Sequence, residues 1–442
     1  MELYGNNVLV VGMEKTGRAA VEFLVSAGAR VTATDLKPHE VPGFRLQSDE
    51  LFAESWDLMV ISPGVPTDLP GIAGARARGV DVIGEVELAA PYLKGPVMGI
   101  TGSNGKTTTT SLVGHILRSA GMPMQVGGNI GTPVIAMCGT SREDQWNILE
   151  LSSFQLETAC SFRAKIGVCL NVTQNHLDRH HTFENYADAK GNLFRLQKAG
   201  DSAVLNAGDA VCRSFGELGT AMKVWFAGQD WSVVDGWICG WGKRLMPVEE
   251  VPIPGNHNVE NVLAAAAAAS LAGVPFRAIR AAVKTFRAVE HRLEFVAEIR
   301  GVKFYNDSKA TSVDATMKAL DSFAGNLWVV LGGKDKGSDY TALRDRLRMK
   351  AHAVLLIGSA AEKIAGELAG AVKLERVETL ERAVETAWAK AVPGDTVLLA
   401  PACASFDQFR GYEHRGEVFK ALVREIQESN IRERNQEHGA DA

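Results

Sequence analysis

The feature that most constrains the fold is a glycine-rich loop at residues 99–107, with the sequence GITGSNGKT, which joins an apolar strand to a helix. Glycines at positions 102 and 105 let backbone N–H groups approach an anion closely, and the start of the helix adds a partial positive charge. Lys106 can reach the β- and γ-phosphates of a nucleotide, and the hydroxyl of Thr107 can hold Mg²⁺. The loop therefore predicts a nucleoside triphosphate site on an α/β domain.

The loop departs from the usual pattern G-x-x-x-x-G-K-[ST] at its first glycine. That glycine should stand at position 100, where this chain has Ile, and Gly102 lies two places later. The alternative is an ordinary turn rich in glycine and threonine, but the strand, the loop, Gly-Lys-Thr and the helix all occur in the required order. The residues expected at the nucleotide are Gly102, Ser103, Asn104, Gly105, Lys106, Thr107 and Thr108.

The length of 442 residues is too great for one hydrophobic core and suggests about three domains. The formal net charge of −5 argues against general binding to nucleic acid or to a membrane surface. No apolar run reaches about 18 residues, no secretory signal opens the chain, and the six cysteines form no C-x-x-C pair. We expect a cytoplasmic protein with reduced thiols, without membrane insertion and without a nucleic-acid partner.

The first 93 residues alternate short apolar runs with a helical stretch, which is a βαβ pattern. Gly12 and Thr16 lie at the first strand-to-helix turn, and Asp35 closes the second strand, where a ribose-binding acid would stand. Ser62 and Gly64 follow a later strand. The second glycine of G-x-G-x-x-G is missing, which disfavours an NAD enzyme. Two interpretations stay open: a nucleotide-diphosphate pocket, or a structural turn in an α/β domain that binds no nucleotide.

The strand and helix pattern restarts after a segment rich in proline and glycine at residues 91–96. We therefore place one domain at residues 1–93 and a second, which contains the glycine-rich loop, at residues 94–289. A third series of strands and helices follows His291, which gives a third domain at residues 290–442.

Glu150 and His176 each follow a predicted strand of the second domain. In an open α/β sheet the carboxyl ends of the strands form the edge that binds ligands, so these side chains and Thr107 would converge on Mg²⁺ near the γ-phosphate. A single Glu or His is more often a solvated surface residue. Two of them in equivalent positions beside a phosphate loop favour the metal site.

Polar residues also follow predicted strands of the third domain, where we expect them to face one edge and hold a second, smaller substrate. These positions are Asp307, Thr311, Lys334, Lys336, Ser405 and Phe406. Asn258 and Asn261 begin an alanine-rich helix, as either ordinary helix caps or contacts to a nucleobase. Arg292, near the domain boundary, can reach phosphates.

Short segments along nearly the whole chain resemble, in the family's order, the Mur ligases that build peptidoglycan for the cell wall. They read SPGV, TGSNGKTTT, GGNIG, ELSSFQLE, NVTQNHLDRH, GNHNVEN, EHRLE, NDSKATS, LGGKDKG and PACASFDQF. Within the family, ELSSFQLE, NDSKAT and PACASFDQF are most similar to the members that add D-glutamate. Folylpolyglutamate synthases share the phosphate loop but not these segments.

The resemblance implies a three-domain α/β fold and a reaction. The N-terminal Rossmann-like domain would hold a UDP-sugar, the central P-loop ATPase with its mostly parallel sheet would hold ATP, and the C-terminal Rossmann-like domain would receive the amino acid. The carboxylate of UDP-N-acetylmuramoyl-L-alanine would attack the γ-phosphate of ATP, and D-glutamate would attack the resulting acyl phosphate. ATP and Mg²⁺ are the implied cofactors, and we expect a monomer.

The resemblance also implies a role for each matching residue. The catalytic residues would be Lys106, Glu150, His176, Lys190, His291 and Arg292, and the metal ligands Thr107, Glu150, His176 and Lys190. Besides the loop, ATP would contact Asn258, Asn261, Arg292 and Asp307. The two substrates would contact Gly12, Thr16, Asp35, Ser62, Gly64, Asn129, Thr311, Lys336, Ser405, Phe406 and Tyr412, the last standing where the family has Phe.

Lys190 lies fourteen residues after His176 in a helical stretch and by itself resembles a solvated surface lysine. In Mur ligases the matching lysine is carbamylated, which turns a cation into an anionic oxygen ligand. That modification requires a neutral amine. The resemblance thus implies a carbamylated Lys190.

Two other functions remain as alternatives. One is a related ligase with another acceptor, such as an enzyme that polyglutamylates folate. The other is a catalytically silent homologue that only binds a UDP-sugar, which the presence of Lys106, Glu150, His176, Lys190 and Asp307 disfavours. The base that deprotonates the amine is open between His176 and His291.

Overall fold

The computed structural model describes residues 2–287 and 290–440, and all counts here refer to them. The chain divides into two compact units, Met1–Val251 with Val259–Thr285, and Pro252–Asn258 with Phe286–Ala442. Two sheets lie in the first unit and one in the second. The α/β class is as predicted from the sequence, whereas the three domain boundaries remain predictions.

The first sheet contains five strands, with helices between them. In chain order the elements are β1 (Asn7–Val11), α1 (Lys15–Ser26), β2 (Arg30–Asp35), β3 (Phe44–Leu46), α2 (Asp49–Ala53), β4 (Leu58–Ile61), α3 (Pro70–Ala77), β5 (Asp81–Gly84) and α4 (Glu85–Ala89). The order β3-β2-β1-β4-β5 is parallel throughout. The carboxyl ends of β1, β2 and β4 therefore share one edge, which is where ligands bind in such sheets.

The second sheet contains nine strands. In chain order the elements are β6 (Val97–Thr101), α5 (Lys106–Ser119), β7 (Met124–Gly128), α6 (Val134–Met137), β8 (Trp146–Glu150), α7 (Ser153–Leu156), β9 (Ile166–Cys169), α8 (Leu177–His180), α9 (Phe183–Arg195), β10 (Ser202–Asn206), α10 (Ala210–Phe215), β11 (Met222–Phe226), β12 (Trp231–Val234), β13 (Trp237–Gly240), β14 (Lys243–Pro247), α11 (Asn256–Leu271) and α12 (Phe276–Thr285).

The order of the second sheet is β14-β13-β12-β11-β10-β9-β6-β8-β7. The strands from β6 to β11 pair in parallel, as predicted, whereas β12, β13 and β14 form an antiparallel extension that the sequence analysis did not predict. The apolar strand β6 is buried at every residue and lies between β8 and β9. The loop that follows β6 therefore starts in the middle of the parallel sheet.

The third sheet contains six strands in the order β15-β16-β20-β17-β18-β19, antiparallel only between β15 and β16. In chain order the elements are β15 (Glu294–Ile299), β16 (Val302–Asn306), α13 (Val313–Asp321), β17 (Leu327–Gly332), α14 (Arg344–Lys350), β18 (Ala351–Ile357), α15 (Ala361–Glu367), β19 (Leu374–Glu378), α16 (Leu380–Lys390), β20 (Thr396–Leu399) and α17 (Tyr412–Ala440). Of the helices in residues 2–287 and 290–440, none combines the length and the apolar character needed to cross a bilayer.

Candidate active site

The glycine-rich loop joins β6 to α5, and two of its glycines have backbone conformations that favour glycine. Gly102 has φ +148° and Gly105 has φ +83°. A Cβ atom at Gly105 would overlap the side-chain oxygen of Asn261, which also lies 3.3 Å from the hydroxyl of Thr109. Asn261 therefore packs directly on the loop, while its contact with a nucleotide remains a prediction.

The shape of the loop is fixed by the segment that follows β9. The backbone N–H of Ser103 donates to the carbonyl of Asn171 at 2.8 Å, and the N–H of Asn104 donates to the Asn171 side chain at 2.9 Å. The Ser103 hydroxyl lies 2.8 Å from the hydroxyl of Tyr186 and donates to the carbonyl of Thr173 at 3.0 Å. These bonds fix the backbone of the loop between β6 and α5.

Two lysines meet at the loop. The Nζ of Lys106 donates to the carbonyls of Gly102 and Ser103 at 2.8 and 3.1 Å, and the Nζ of Lys190 donates to the same Gly102 carbonyl at 3.0 Å. The Lys190 ammonium also lies 4.6 Å from the ring centre of Tyr186. The structure thus brings Lys190, predicted from the resemblance alone, to the phosphate loop.

Lys190 is almost completely buried, with 1% of its surface exposed. Burial, and then the neighbouring charge of Lys106, lowers the pKa of the Lys190 amine from 10.5 to about 7. A substantial fraction of this amine is therefore neutral at physiological pH. A neutral amine is the form that carbamylation requires.

Glu150 lies at the end of β8 and is 2% exposed. Its Oε1 accepts a hydrogen bond from the side chain of Asn129 at 2.9 Å, and its carbonyl accepts one from the Asn129 backbone N–H at 2.8 Å. Across the described residues, Oε2 of Glu150 finds no hydrogen-bond donor, although it is buried. A buried carboxylate oxygen with spare lone pairs suits a hard cation such as Mg²⁺.

His176 precedes α8, has φ +54° and is exposed. Its ring packs edge-on against Phe154, with 4.9 Å between ring centres, and lies 6.3 Å from the ring of Tyr186. His180, one turn later, is buried, packs against the same two rings and lies 2.9 Å from the Ser153 hydroxyl.

Phe154, His180 and Tyr186 were not singled out from the sequence. The signal for Tyr186 was its position four residues before Lys190, which places both side chains on one face of α9. Phe154 stands in the motif ELSSFQLE, inside the capping box in which Ser152 and Gln155 start α7.

A metal site would have to draw on unlike donors. In the described part of the chain, no three His, Cys, Asp or Glu side chains cluster closely enough to hold a metal ion. Oxygen from Glu150, from the Thr107 hydroxyl and from a carbamate on Lys190 would satisfy the preference of Mg²⁺ for hard ligands. The residues fit the ion on that condition, and the predicted contribution of His176 stays a prediction.

The predicted UDP-sugar residues of the first sheet meet at its carboxyl edge. The Ser62 hydroxyl donates to the carbonyl of Gly12 at 2.7 Å, and Asp35 accepts the backbone N–H of Met13 at 2.6 Å. Burial alone would raise the pKa of the Asp35 carboxyl, but hydrogen bonds from the Met13 and Lys37 N–H groups leave that pKa below its ordinary value.

Thr16 and Gly64 flank this edge. Thr16 is half-buried in the first turn of α1, and Gly64 is exposed in the turn after β4. The structure therefore brings the five predicted residues of the first sheet to one side of it, while their contacts with a ligand remain predictions.

In the second unit, His291 is buried and tightly enclosed. Its Nδ1 lies 2.9 Å from the side-chain nitrogen of Asn306, and its backbone N–H donates to Glu294 at 2.9 Å. A Cβ at position 416 would overlap the His291 ring, so Gly416 makes this packing feasible. Burial, and then the charge of Lys420, lowers the pKa of His291, which favours the neutral imidazole.

Asp307 follows β16 and is buried. Burial raises the pKa of its carboxyl to about 7, although the charge of Arg292 and the backbone N–H of Leu293 act in the opposite direction. Asp307 and Arg292 are therefore near neighbours, and their shared role at ATP remains a prediction.

The predicted amino-acid residues of the second unit fall into two groups. The Nζ of Lys336 donates to the carbonyl of Thr311 at 3.3 Å, so these two lie together. The ring of Tyr412 lies 6.1 Å from that of His291 and carries the Lys309 ammonium 4.9 Å from its centre. The three predicted residues, Thr311, Lys336 and Tyr412, each come after the carboxyl end of a strand in the third sheet.

Ser405 and its neighbour have opposite environments. Ser405 is 2% exposed and its carbonyl accepts the Phe409 N–H at 2.9 Å, whereas Phe406 is 69% exposed. Arg415, which sequence reasoning missed, is fully buried and donates from its guanidinium to the carbonyls of Ser308 and Cys403. It thereby fastens two loops at the edge of the third sheet.

Asn258 lies within the first turn of α11, which begins at Asn256, so the helix-cap interpretation of Asn258 is wrong. Its side-chain amide donates to the carbonyl of Pro254 at 2.6 Å. Its contact with ATP remains a prediction.

Three family models match the chain in order. The Mur ligase MurD-like N-terminal domain matches residues 6–84, the Mur ligase middle domain residues 100–269, and the Mur ligase glutamate ligase domain residues 291–403. Together they cover more than half of the chain. The three-domain arrangement predicted from the sequence is thereby confirmed.

Individual proteins show the same similarity. The chain is 63% identical over 436 residues to a UDP-N-acetylmuramoylalanine--D-glutamate ligase of Solibacter usitatus, with 96% of this chain and 98% of that protein covered. Its fold is similar to that of the UDP-N-acetylmuramate-alanine ligase MurC of Thermotoga maritima, at a TM-score of 0.62, 18% identity, and coverage of 96% and 100%. For the MurF ligase of Thermotoga maritima in complex with ADP, the TM-score is 0.59, the identity 17% and both coverages 96%.

Proposed function

The chain belongs to the Mur ligase family, and we propose on that premise that it is an ATP-dependent ligase that joins D-glutamate to UDP-N-acetylmuramoyl-L-alanine in peptidoglycan synthesis. The name of the relative from Solibacter usitatus supports the choice of substrates. The observation in this structure that carries the proposal is the meeting of Lys106 and Lys190 at the Gly102 carbonyl, within electrostatic range of the buried Glu150.

The reaction proceeds in two steps. A carboxylate oxygen of the L-alanyl group attacks the γ-phosphorus of ATP, the bond to the β,γ-bridging oxygen breaks, and ADP leaves. The amine of D-glutamate then attacks the acyl carbon, loses a proton and expels phosphate. Activation is needed because a free carboxylate is a poor electrophile, whereas phosphate is a good leaving group.

The first unit activates the acceptor. The backbone of the phosphate loop and the Lys106 ammonium hold the β- and γ-phosphates and neutralise the charge that develops during transfer. Gly12, Asp35 and Ser62, with Thr16, Gly64 and Asn129, hold the UDP-sugar. Asn261, which packs on Gly105, contacts the nucleotide.

Thr107, Glu150, His176 and a carbamylated Lys190 would hold Mg²⁺. The bound ion supplies charge neutralisation at the phosphates. Carbamylation joins the neutral Lys190 amine to carbon dioxide, forms an N–C bond and releases a proton. The anionic carbamate removes the repulsion that an ammonium would exert on the metal.

The second unit receives the amino acid. Thr311, Lys336, Ser405, Phe406 and Tyr412 line the D-glutamate site, and His291, Arg292, Asp307 and Asn258 serve the nucleotide and the transferred phosphoryl group. We place the reaction in the cytoplasm, where ATP is supplied. We propose that the enzyme acts as a monomer.

A phosphate-release assay tests this function. Purified protein with ATP, Mg²⁺ and UDP-N-acetylmuramoyl-L-alanine should release phosphate when D-glutamate is added, and should not do so with L-glutamate, L-alanine or diaminopimelate. Equal rates with L-glutamate would favour a folate-type ligase. Binding of the UDP-sugar without phosphate release under any of these conditions would indicate a silent homologue.

A further inference from the structure

Arg179 lies in α8 and is mostly buried, with 11% of its side chain exposed. Its guanidinium donates to the carbonyl of Val65, in the loop that follows β4, at 2.8 Å. The same nitrogen donates to Oε2 of Glu157 at 3.0 Å. The other oxygen of Glu157 accepts the hydroxyl of Thr67 at 2.6 Å. Arg179 and Glu157, which belong to segments that follow strands of the second sheet, thus bind the loop that follows β4 of the first sheet.

The loop that Arg179 holds carries two of the predicted UDP-sugar residues, Ser62 and Gly64. The backbone N–H of Val65 donates to the carbonyl of Ser62 at 2.9 Å, and the Ser62 hydroxyl in turn donates to Gly12. A Cβ at Gly12 would come within 2.7 Å of a Val65 methyl group, so Val65 closes over the turn at Gly12. A shift of Val65 therefore moves the edge at which the UDP-sugar would bind.

On its other side, Arg179 meets the aromatic residues around the proposed metal and phosphate site. The guanidinium carbon lies 5.5 Å from the ring centre of Phe154. Phe154 packs against His176 and His180, and both of these pack against Tyr186, which bonds to Ser103 of the phosphate loop. Contacts therefore run without interruption from Val65 to the phosphate loop.

We propose that Arg179 is a positioning residue that sets the UDP-sugar loop at residues 62–65 in register with His176 and the phosphate loop. This inference rests on the proposed function. Arg179 acts through Val65 and Phe154 and touches no reacting atom. Both of its hydrogen bonds, to Val65 and to Glu157, come from one outer nitrogen of the guanidinium, Nη2.

The test compares Arg179→Gln and Arg179→Lys with the native protein in steady-state kinetics. Arg179→Gln should lower kcat/KM for UDP-N-acetylmuramoyl-L-alanine by roughly 10- to 100-fold, since two hydrogen bonds of a buried charge are lost. KM for ATP should stay within about twofold, because the loop at 102–107 is held by other bonds. Arg179→Lys should recover part of the loss, since an ammonium can donate to Val65 or Glu157 but cannot stack on Phe154 as a plane.

Arg195→Gln is the matched control, because Arg195 forms an exposed ion pair with Asp188 on neighbouring α9. It should leave both KM values and Tm unchanged. Two results for Arg179→Gln would overturn the positioning role: KM values for ATP and for the UDP-sugar that rise equally while Tm falls, or kinetics identical to those of the native protein. In either case, activity of the native enzyme would still support the proposed function. An inactive native protein would overturn the proposed function instead. In that case the affinity for the UDP-sugar is measured by calorimetry, and an Arg179→Gln variant that binds it as tightly as the native protein would overturn the positioning role too.

Discussion

At the scale of the residue, Lys190 is the side chain whose surroundings matter most to the proposed chemistry. It is buried near the charges of Lys106 and Glu150, donates to one carbonyl, and has a pKa that burial and then Lys106 lower to about 7. A lysine kept in this place as an ammonium would oppose the cation that Glu150 suits. Carbamylation resolves the conflict, because it replaces the buried positive charge with a negative one.

Carbamylation is observable without any assay of activity. Protein equilibrated with ¹³C-bicarbonate should show a carbamate carbon signal by NMR that is absent in Lys190→Gln and retained in Lys198→Gln, a control at an exposed lysine. Since the amine is neutral only above its pKa, the signal should rise between about pH 6 and 8 rather than above pH 9. Lys190→Gln should also lower kcat by at least about 100-fold.

A native protein with no signal in that pH range, or a Lys190→Gln variant with native turnover, would contradict the carbamate. Without the family resemblance, the local sequence around Lys190 could not have identified this site. Lys190 lies 88 residues from Gly102, its acceptor, and a single lysine in a helical stretch carries no local mark of burial.

At the scale of the element, the phosphate loop shows how much local sequence can determine. The order of apolar strand, glycines, lysine and helix predicted β6 and the start of α5 to within one residue of their observed positions, but not where α5 ends. The strands β1 and β4 were predicted for the same reason, since nearly every residue in them is apolar and buried. Contacts that close the loop, from Asn171 and Tyr186, come from distant segments and could not be predicted.

The antiparallel extension of the second sheet was missed although its signal is present. Asp235 and Gly236 connect β12 to β13, and both have positive φ, of 49° and 76°. An Asp-Gly pair between two short apolar runs is a strong indication of a two-residue hairpin turn. The strands themselves are only four residues each, too short for an apolar pattern to identify them.

Two glycines at opposite ends of α5 allow the effect of a strained backbone conformation to be measured separately from the effect of a steric clash. Gly105 and Gly121 both have positive φ, but only at Gly105 would a Cβ overlap a neighbour, the Asn261 side chain. Gly121→Ala should cost about 1 kcal/mol of stability and leave KM for ATP unchanged. Gly105→Ala should lower Tm further and raise KM for ATP by roughly tenfold or more, since it displaces Asn261 and the loop.

Thermal unfolding and ATP titrations of the two variants check this expectation. If both variants lower Tm equally and neither changes KM for ATP, the packing of Asn261 on the loop does not matter for the nucleotide.

At the scale of the whole molecule, each of the three sheets has an acidic residue at the carboxyl end of a strand, and the sequence predicted all three positions. Asp35, Glu150 and Asp307 each lie at or just after the carboxyl end of a parallel strand, one in each sheet, and all three were selected by that position. What strand position could not supply was how segments cooperate, as Arg179 with Val65 and Arg415 with Ser308 do. Those partners are far apart in sequence and carry no shared pattern.

The central claim is that the chain converts a carboxylate into an acyl phosphate and then into an amide with D-glutamate. It is tested most directly by labelling both carboxylate oxygens of the alanine in UDP-N-acetylmuramoyl-L-alanine with ¹⁸O. After reaction with ATP and D-glutamate, mass spectrometry should find one labelled oxygen in the released phosphate and the other in the new amide carbonyl. Amide product accompanied by unlabelled phosphate, or no D-glutamate-dependent phosphate at all, would contradict the claim.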